Sequence, residues 1–222
     1  MLHERHIENL VAKYVRDGDV IAVGTSRAGE VFLKKLAFAI EERGIGVSVI
    51  PTSLKHATIA SSLGIKIASI NDSEIDLAVE FVDMVDADYN YIKRDSSSLV
   101  RDKMIAQSAS TLIAVARKED FVKRLRGKMA FEVAAFGWGR TLLQLDTLGK
   151  AKLRETAGKP YKTESNNYLI DVEIGLGYEL EDLEFKAKEI PGVLETGLFL
   201  GYADKILLHN HGLEVKSRME FE

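Results

Sequence analysis

The 222-residue sequence contains no cysteine. Disulfides, thiolate nucleophiles and cysteine-ligated metal or iron–sulfur sites are therefore excluded. Proline is also scarce, with three scattered residues, and no Pro-, Gly- or Ser-rich linker or internal repeat divides the chain. These absences favour one large domain, or a main domain with a smaller lobe, over a string of tethered modules.

Long apolar runs are absent as well. No stretch approaches the ~20 apolar residues that span a bilayer, and the N-terminal segment "MLHERHIENLVAKYV" is too charged for a secretion signal. The net charge of −4 gives no electrostatic reason to expect nucleic acid or an anionic membrane as a partner. We therefore expect a cytoplasmic protein that binds neither.

Short apolar runs alternate with amphipathic segments through the first part of the chain. "VIAVGT" and "GVSVIPTS" read as strands, and between them "AGEVFLKKLAFAIEERG" has apolar residues at helical spacing and a terminal glycine. "IKIASI", "IDLAVEFV" and "STLIAVA" continue the strand series. Strands alternating with helices predict a doubly wound, mostly parallel α/β sheet over residues 1–129 plus 203–222.

The order of elements changes from about residue 130. "KMAFEVAAF", "AKLRE", "NNYLIDVEI" and "GVLETGLF" read as strands, with helices at "GRTLLQLDTLG" and "LEDLEFKAKEI". Strand, helix, strand, strand, helix, strand is the order of a ferredoxin-like lobe. We therefore expect a smaller α+β lobe over residues 130–202, after which "DKILLHN" and "GLEVKSR" return to the first sheet.

The turn in "VIAVGTSRAGE" is a candidate anion site. Backbone N–H groups and the positive end of the following helix point outward there, so Gly24, Thr25 and Ser26 could cradle a phosphate. Arg27 could add a bidentate contact. An ordinary strand–helix turn with a surface arginine is the alternative.

The stretch "EFVDMVDADYNYIKRDSSSLVRDK" concentrates charge where a strand ends. Its ionisable candidates are Glu80, Asp83, Asp86, Asp88, Lys93, Asp95 and Asp102. Because open parallel sheets bind ligands at the carboxyl ends of their strands, this placement favours a site. The alternative is a solvated acidic loop in which Asp102 only stabilises a helix start. His209 and His211 lack a third ligand, so no metal site is predicted.

At these stretches the sequence resembles ribose-5-phosphate isomerase of the A type. The similarity runs in order through "VGTSRA", "VIPTS", "IDLAVEFVDMVD", "NYIKRDSSSLVRDK", "KPYKTESNNYLIDVEIG" and "IPGVLETGLFLGYAD". The resemblance implies an isomerase without metal or cofactor that interconverts ribose 5-phosphate and ribulose 5-phosphate through an enediolate. It also implies a homo-oligomer, a homodimer or a homotetramer.

The resemblance carries residue roles to this chain. Asp102, between Arg101 and Lys103, matches the family's catalytic glutamate, and Lys93 matches its lysine before a triple glycine. Glu80 and Asp83 match the aspartate pair of Asp-Gly-Ala-Asp. The implied roles are a base for Asp102, oxyanion stabilisation for Lys93, and proton handling for Glu80 and Asp83. Residues 24 to 27 and Ser96 would hold the substrate and its phosphate.

Several family positions differ here. Arg94, Asp95 and Ser96 replace the triple glycine, and a further family lysine falls on Asp120, with Lys118 or Lys123 nearby. Side chains in place of glycines should narrow or reshape the sugar channel. Asp102 is one methylene shorter than glutamate, and a misplacement of ~1 Å can cost about 100-fold in rate. A sugar-phosphate binder without turnover, or an isomerase of another sugar phosphate, therefore remains an alternative.

Overall fold

The computed structural model describes residues 4–175, 177–210 and 212–218. Its helices are α1 (Glu4–Tyr14), α2 (Arg27–Arg43), α3 (Leu54–Ser62), α4 (Leu99–Ser108), a 3-10 turn (Lys118–Asp120), α5 (Trp138–Leu145) and α6 (Leu180–Lys188). Its strands are β1 (Val20–Val23), β2 (Ser48–Pro51), β3 (Lys66–Ile67), β4 (Leu77–Phe81), β5 (Met84–Val85), β6 (Tyr91–Ile92), β7 (Leu112–Arg117), β8 (Gly127–Val133), β9 (Gly149–Leu153), β10 (Glu155–Thr156), β11 (Lys159–Pro160), β12 (Tyr168–Ile174), β13 (Val193–Thr196), β14 (Leu198–Phe199), β15 (Lys205–His209) and β16 (Leu213–Ser217).

The main sheet has seven strands in the order β16-β15-β7-β4-β1-β2-β3. All neighbouring pairs are parallel except β15 with β16. The predicted mostly parallel sheet is confirmed, and so is the return of the two last strands to it. Strand β4 lies between β1 and β7, so its carboxyl end is at the middle of the sheet edge where ligands bind in open α/β folds.

Helices cover both faces of this sheet. Ile21 and Val79 point into a core shared with α1 and α2, while their neighbours Ala22 and Ala78 point into a second core that includes Ile105 of α4. This alternation follows from the twofold period of side chains along a strand. The strands are apolar almost throughout because both of their faces are buried. A charged residue inside such a strand is therefore an exception that needs a partner.

The smaller lobe is an antiparallel sheet in the order β13-β8-β12-β9, with α5 and α6 packed on one face. The predicted succession of strands and helices is confirmed, and a short hairpin of β10 and β11 is added to it. Strand β8 begins at Gly127 and so crosses the predicted boundary between residues 129 and 130. That division of the chain stays a prediction.

Two predicted strands are shorter than expected. "IKIASI" contributes only Lys66–Ile67, because it pairs with β2 on one edge and then turns at Ser69, whose Oγ accepts from Asn71 N. "GVLETGLF" is broken at Gly197, whose N–H donates to Ala130 O and whose carbonyl accepts from Lys93 N. Beyond the break, β14 joins β6 and β5 in a three-stranded sheet that fixes the backbone beside Lys93.

None of the helices in the described part of the chain combines the length and the apolar character that crossing a membrane requires.

Candidate active site

Three charged side chains meet at the carboxyl end of β4. Lys93 Nζ lies 2.9 Å from Asp102 Oδ2 and also donates to Glu80 Oε2. The exposed fraction of each of the three side chains is 1% or less. A lysine is almost never buried this completely unless it is paired, and here it is paired twice. We call these three residues the charged centre.

Different elements supply the charged centre. Glu80 is the one charged residue within β4, and Lys93 directly follows β6. Asp102 lies in the first turn of α4, whose N-cap is Ser98, and its N–H donates to Ser98 O. A carboxylate in the first turn of a helix is stabilised by the helix dipole. The position that suits helix formation thus also directs Asp102 to Lys93.

Gly24 closes one side of the charged centre. Its N–H donates to Val79 O, which brings the turn after β1 against β4. A Cβ at this position would overlap Glu80 Oε2 and lie 2.7 Å from Lys93 Nζ. A glycine is therefore required here by the close approach of the backbone to the two side chains.

Burial and attraction act in opposite directions on the charged centre. Burial raises the pKa of Glu80 to about 7, because the low-dielectric surroundings disfavour its carboxylate more than Lys93 favours it. Burial alone would lower the pKa of Lys93, but attraction to Asp102 and Glu80 outweighs it and raises that pKa. Lys93 is therefore an ammonium at neutral pH, whereas Glu80 exchanges its proton near neutrality.

Some polar atoms around the centre have no hydrogen-bond partner within the described residues. They are Glu80 Oε1, Asp102 Oδ1 and the Tyr91 hydroxyl, all buried. Buried polar groups are nearly always hydrogen-bonded, so unpaired ones concentrated in one place call for an explanation. One oxygen on each carboxylate is thus available to accept a proton or a hydrogen bond from a ligand.

A series of hydrogen-bonded hydroxyl groups lies beside the charged centre. Ser96 Oγ donates to Asp102 Oδ2 at 2.5 Å. Further out, Ser97 Oγ donates to Thr25 Oγ1, which shares a hydrogen bond of 2.6 Å with Thr52 Oγ1. Since Thr52 Oγ1 donates to Val23 O, it accepts from Thr25. The Thr25 hydroxyl hydrogen is therefore already used inside the protein.

The predicted phosphate turn has its side chains occupied. Ser26 is the N-cap of α2 and accepts from Gly29 N at 2.9 Å, while Arg27 is exposed. The Thr25 hydroxyl is also engaged, by its hydrogen bond to Thr52. An anion at the turn would therefore bind to backbone N–H groups, or the hydrogen bonds of these hydroxyl groups would have to rearrange. Phosphate binding by Gly24, Thr25, Ser26 and Arg27 stays a prediction.

The cations on either side of Asp102 point away from the centre. Arg101 donates to the carbonyl oxygens of Thr52 and Glu164. Lys103 donates to Leu198 O and lies over the Phe199 ring, 4.4 Å from its centroid. Both side chains bind α4 to neighbouring segments, so the Arg-Asp-Lys triplet fixes the helix on which the carboxylate is carried.

The remaining acidic candidates separate into local roles. Asp83 accepts from Arg94 N at 2.6 Å, and Asp86 accepts from the backbone N–H groups of Asp88 and Asn90. Asp120 pairs with Arg117. Asp83 is half-buried beside the strand end that carries Glu80, but neither it nor the others contact the charged centre among the hydrogen bonds and ion pairs of the described residues.

Glu132 is a buried carboxylate that the sequence analysis did not single out. It is completely buried on β8 and accepts hydrogen bonds from Ser98 Oγ, Val100 N, Thr163 Oγ1 and Asn167 Nδ2. The available signal was its place as the lone acidic residue in the apolar strand "KMAFEV". An acid inside a buried strand predicts a specific polar partner set.

A cavity of about 480 Å³ lies next to the site, between α4 and residues 67–71. Thr52, Arg101 and Ser165 are in its wall, but the charged centre is not.

Within the described ranges, no group of three or more His, Asp or Glu side chains is arranged to hold a metal ion. His209 is buried at the end of β15, and His211 lies outside the described residues.

The fold and the site define an α/β protein whose buried carboxylate–ammonium–carboxylate centre can move protons at the carboxyl end of a parallel sheet. Comparison with known proteins gives the family. Residues 48–212 match the model of the family "Ribose 5-phosphate isomerase A (phosphoriboisomerase A)". The chain therefore belongs to the ribose 5-phosphate isomerase A family, a family of isomerase enzymes.

Individual relatives agree along nearly the whole chain. The chain is 33% identical over 195 residues to ribose-5-phosphate isomerase A of Archaeoglobus fulgidus, covering 86% of this chain and 87% of the relative. A solved ribose 5-phosphate isomerase A from Methanocaldococcus jannaschii superposes with a TM-score of 0.89 at 25% identity, covering 97% and 98% of the two chains. A D-ribose-5-phosphate isomerase in complex with phospho-erythronic acid superposes with a TM-score of 0.89 at 28% identity, covering 97% of each.

Proposed function

We propose that this chain interconverts ribose 5-phosphate and ribulose 5-phosphate, with Asp102 as the base. The observation that carries the proposal is the position of Lys93, fully buried between Glu80 and Asp102. An aldose–ketose isomerisation needs a base at carbon and a donor at the oxygen where negative charge develops. The charged centre offers both within one hydrogen-bonded group.

In the proposed reaction, the Asp102 carboxylate removes the proton from C2 of the open-chain aldose. The electrons of the C2–H bond form the C1–C2 double bond, and the carbonyl π electrons move to O1. The Lys93 ammonium stabilises the resulting enediolate oxygen. Asp102 then returns the proton to C1, while the proton on O2 is transferred to O1 and C2 becomes the carbonyl of the ketose.

Glu80 is suited to that oxygen-to-oxygen transfer. Its pKa of about 7 means that it gains and loses a proton near neutral pH, as an efficient proton shuttle requires. Its Oε1 is free of partners within the described part of the chain and could face a substrate hydroxyl. Asp83, half-buried at the same strand end, would orient the sugar rather than contact Lys93.

Binding energy would come from the phosphate end of the substrate. A relative in complex with phospho-erythronic acid supports recognition of a phosphorylated sugar chain by this fold. Residues 24 to 27 and Ser96 are the proposed contacts, and anchoring a remote phosphate would position C1 and C2 against Asp102 and Lys93. The hydrogen bonds among Ser97, Thr25 and Thr52 would have to rearrange for this.

Binding without turnover is the second candidate. It is favoured by Ser96, whose hydroxyl occupies Asp102 Oδ2, and by the nearly complete burial of the three charged groups. Both features oppose entry of a sugar to the base. A third candidate is isomerisation of a different sugar phosphate, since Phe81, Arg94 and Asp95 would alter what fits.

The test combines turnover and binding on the same purified protein. Ketose formation is followed with ribose 5-phosphate and with a panel of other aldose phosphates, in the presence and absence of a chelator. Thermal unfolding is followed with ribose 5-phosphate, phospho-erythronic acid and inorganic phosphate. Ketose from ribose 5-phosphate supports the proposal, whereas stabilisation without any turnover overturns it in favour of a binder.

The same proposal includes a homodimer or homotetramer in the cytoplasm. Phe136 and Phe185 on the smaller lobe are 96% and 66% exposed, and large exposed apolar side chains often mark contact surfaces. Light scattering on the purified chain gives the number of subunits, and a mass of one chain would contradict this part.

A further inference from the structure

Glu132 connects two segments, the start of α4 and the loop before β12. On one side it accepts from Ser98 Oγ and from Val100 N, at the start of α4. On the other it accepts from Thr163 Oγ1 at 2.8 Å and Asn167 Nδ2 at 2.9 Å, in the loop before β12. One carboxylate in the smaller lobe therefore joins the helix that carries Asp102 to a loop of that lobe.

The charge of Glu132 is stabilised without a cation. No lysine or arginine in the described ranges forms an ion pair with it, although the side chain has no exposed surface. A buried carboxylate is costly unless hydrogen bonds satisfy it. Here the positive end of the α4 dipole and the surrounding N–H and O–H donors stabilise the carboxylate. The carboxylate is thus held most strongly when the start of α4 lies directly against it.

The contact is transmitted to Asp102 through one helical turn. Ser98, which donates to Glu132, is the N-cap of α4, and its carbonyl accepts from Asp102 N at 3.0 Å. Lys93 is fixed to β8 by a route that does not pass through α4, because its N–H donates to Gly197 O and Gly197 N donates to Ala130 O of β8. A shift of the α4 start relative to β8 would therefore change the separation of Asp102 from Lys93.

The loop opposite α4 is held by the same carboxylate. Glu164 N donates to Ser97 O, and Arg101 donates to Glu164 O at 2.7 Å. Thr163, which donates to Glu132, immediately precedes Glu164 in the chain. The segment of serines from 96 to 98 is thereby held between the loop and the helix, with Ser96 directed to Asp102.

We propose that Glu132 is a positioning residue for the isomerisation: it sets the distance between the Asp102 carboxylate and the Lys93 ammonium by fixing the N-terminus of α4. The expected effect on kcat rests on the proposed function, whereas the expected effect on the Lys93–Asp102 separation rests on geometry alone. A misplacement of ~1 Å at the base costs on the order of 100-fold in rate. Glu132 touches neither the charged centre nor the proposed substrate atoms, so its removal should act on the chemical step.

Two substitutions separate charge from length. Glu132→Gln keeps the shape of the side chain, and its amide oxygen can still accept from Val100 N. If the Asn167 amide turns over, its oxygen can accept from the NH₂ group of the new glutamine. The main loss in this variant is therefore the charge. Glu132→Asp keeps the charge but withdraws it by one methylene. Glu173→Gln, at an exposed carboxylate on the adjacent strand β12, is the matched control.

We expect kcat for ribose 5-phosphate to fall about 10- to 100-fold in Glu132→Asp and Glu132→Gln, with KM changed less than about twofold. The control should behave as the wild type. If Glu132 had only a structural role, its substitution would lower the melting temperature but would not lower kcat selectively while leaving KM unchanged. Wild-type kcat in both folded Glu132 variants overturns the inference.

If the Glu132 variants do not fold, Thr163→Val and Asn167→Ala each remove one donor to Glu132 and leave its carboxylate in place. Thr163→Val also removes the acceptor of Ser165 N and Asn167 N, so Asn167→Ala is the cleaner change. A several-fold loss of kcat in each supports the inference, and an unchanged kcat in both overturns it. If the wild type shows no turnover, the proposed function fails, and the positioning role of Glu132 is then tested by crystal structures of the wild type and of Glu132→Asp. A longer Lys93 Nζ–Asp102 Oδ2 separation in Glu132→Asp than in the wild type supports positioning, and an equal separation contradicts it.

Discussion

Lys93 Nζ lies 2.9 Å from Asp102 Oδ2, and both side chains are shielded from solvent. The ammonium comes from the end of a short strand and the carboxylate from the first turn of a helix, so two separate segments must be held in place for this contact. An ion pair of this kind, surrounded by protein, is preorganised for charge that develops during a reaction. It is also sensitive to the loss of either partner.

Replacing Lys93 with Met should destabilise the fold. The variant leaves the Glu80 and Asp102 carboxylates together without the cation, and breaking a buried pair in this way costs about 3–5 kcal/mol. The free energy of unfolding, from urea titration, measures the effect. The companion variant Glu80→Gln/Lys93→Met/Asp102→Asn removes all three charges and should regain most of that stability while remaining inactive. A Lys93→Met protein as stable as the wild type would contradict the account.

The contribution of Glu80 to stability should depend on pH. The pKa of Glu80 is raised from 4.5 to about 7 in the folded protein, so the folded state binds the proton more tightly than the unfolded state. Its contribution is fully present below about pH 4.5 and is lost as the pH rises through about 7, by at most ~1.4 kcal/mol per pH unit.

The comparison with Glu80→Gln isolates this effect, because the amide does not titrate. The free energy of unfolding of the wild type minus that of the variant, measured at intervals between pH 4.5 and pH 7, should fall. A difference that stays constant or rises over this window is incompatible with a carboxyl group whose pKa is raised by burial.

Gly24→Ala should impair both folding and turnover. The new Cβ would lie 2.7 Å from Lys93 Nζ and overlap Glu80 Oε2, which forces the charged centre apart. Overpacking of this kind costs about 1–3 kcal/mol, and we expect kcat to fall by about 10-fold or more. Gly46→Ala is the control, since the nearest atom to its Cβ is 3.7 Å away. Equal stability and kcat for the two variants would show that the close approach at Gly24 has no consequence.

The sequence predicts the architecture well because the fold depends on local patterns. Apolar runs of strand length separated by amphipathic helices were sufficient to predict the parallel sheet, and the change of rhythm after residue 129 predicted the smaller lobe. The break at Gly197 has no local signal, because it depends on pairing with Ala130 and Lys93, far away in the chain. Strand length in a short element is set by such partners rather than by its own residues.

The site was only partly predictable. The motif resemblance assigns Asp102, Lys93 and Glu80 to one site, and the structure brings these three side chains into contact. Nothing in the local sequence indicates that Arg101 and Lys103 turn away to hold α4. The use of Thr25 and Ser26 within the protein was also not evident, since hydroxyls that could bind phosphate equally serve as caps and as partners for each other. Glu132 required the three-dimensional contact between β8 and α4 to be recognised.

The proton that Asp102 is proposed to carry can be followed with an isotope label. Purified wild type and Asp102→Asn are incubated with ribose 5-phosphate that carries deuterium at C2, and NMR measures both ketose formation and the deuterium at C1 of the product. The proposal that Asp102 carries the proton predicts ketose with deuterium transferred from C2 to C1 by the wild type, and a loss of both by at least about 100-fold in the folded variant. Ketose formation by Asp102→Asn at the wild-type rate would contradict it.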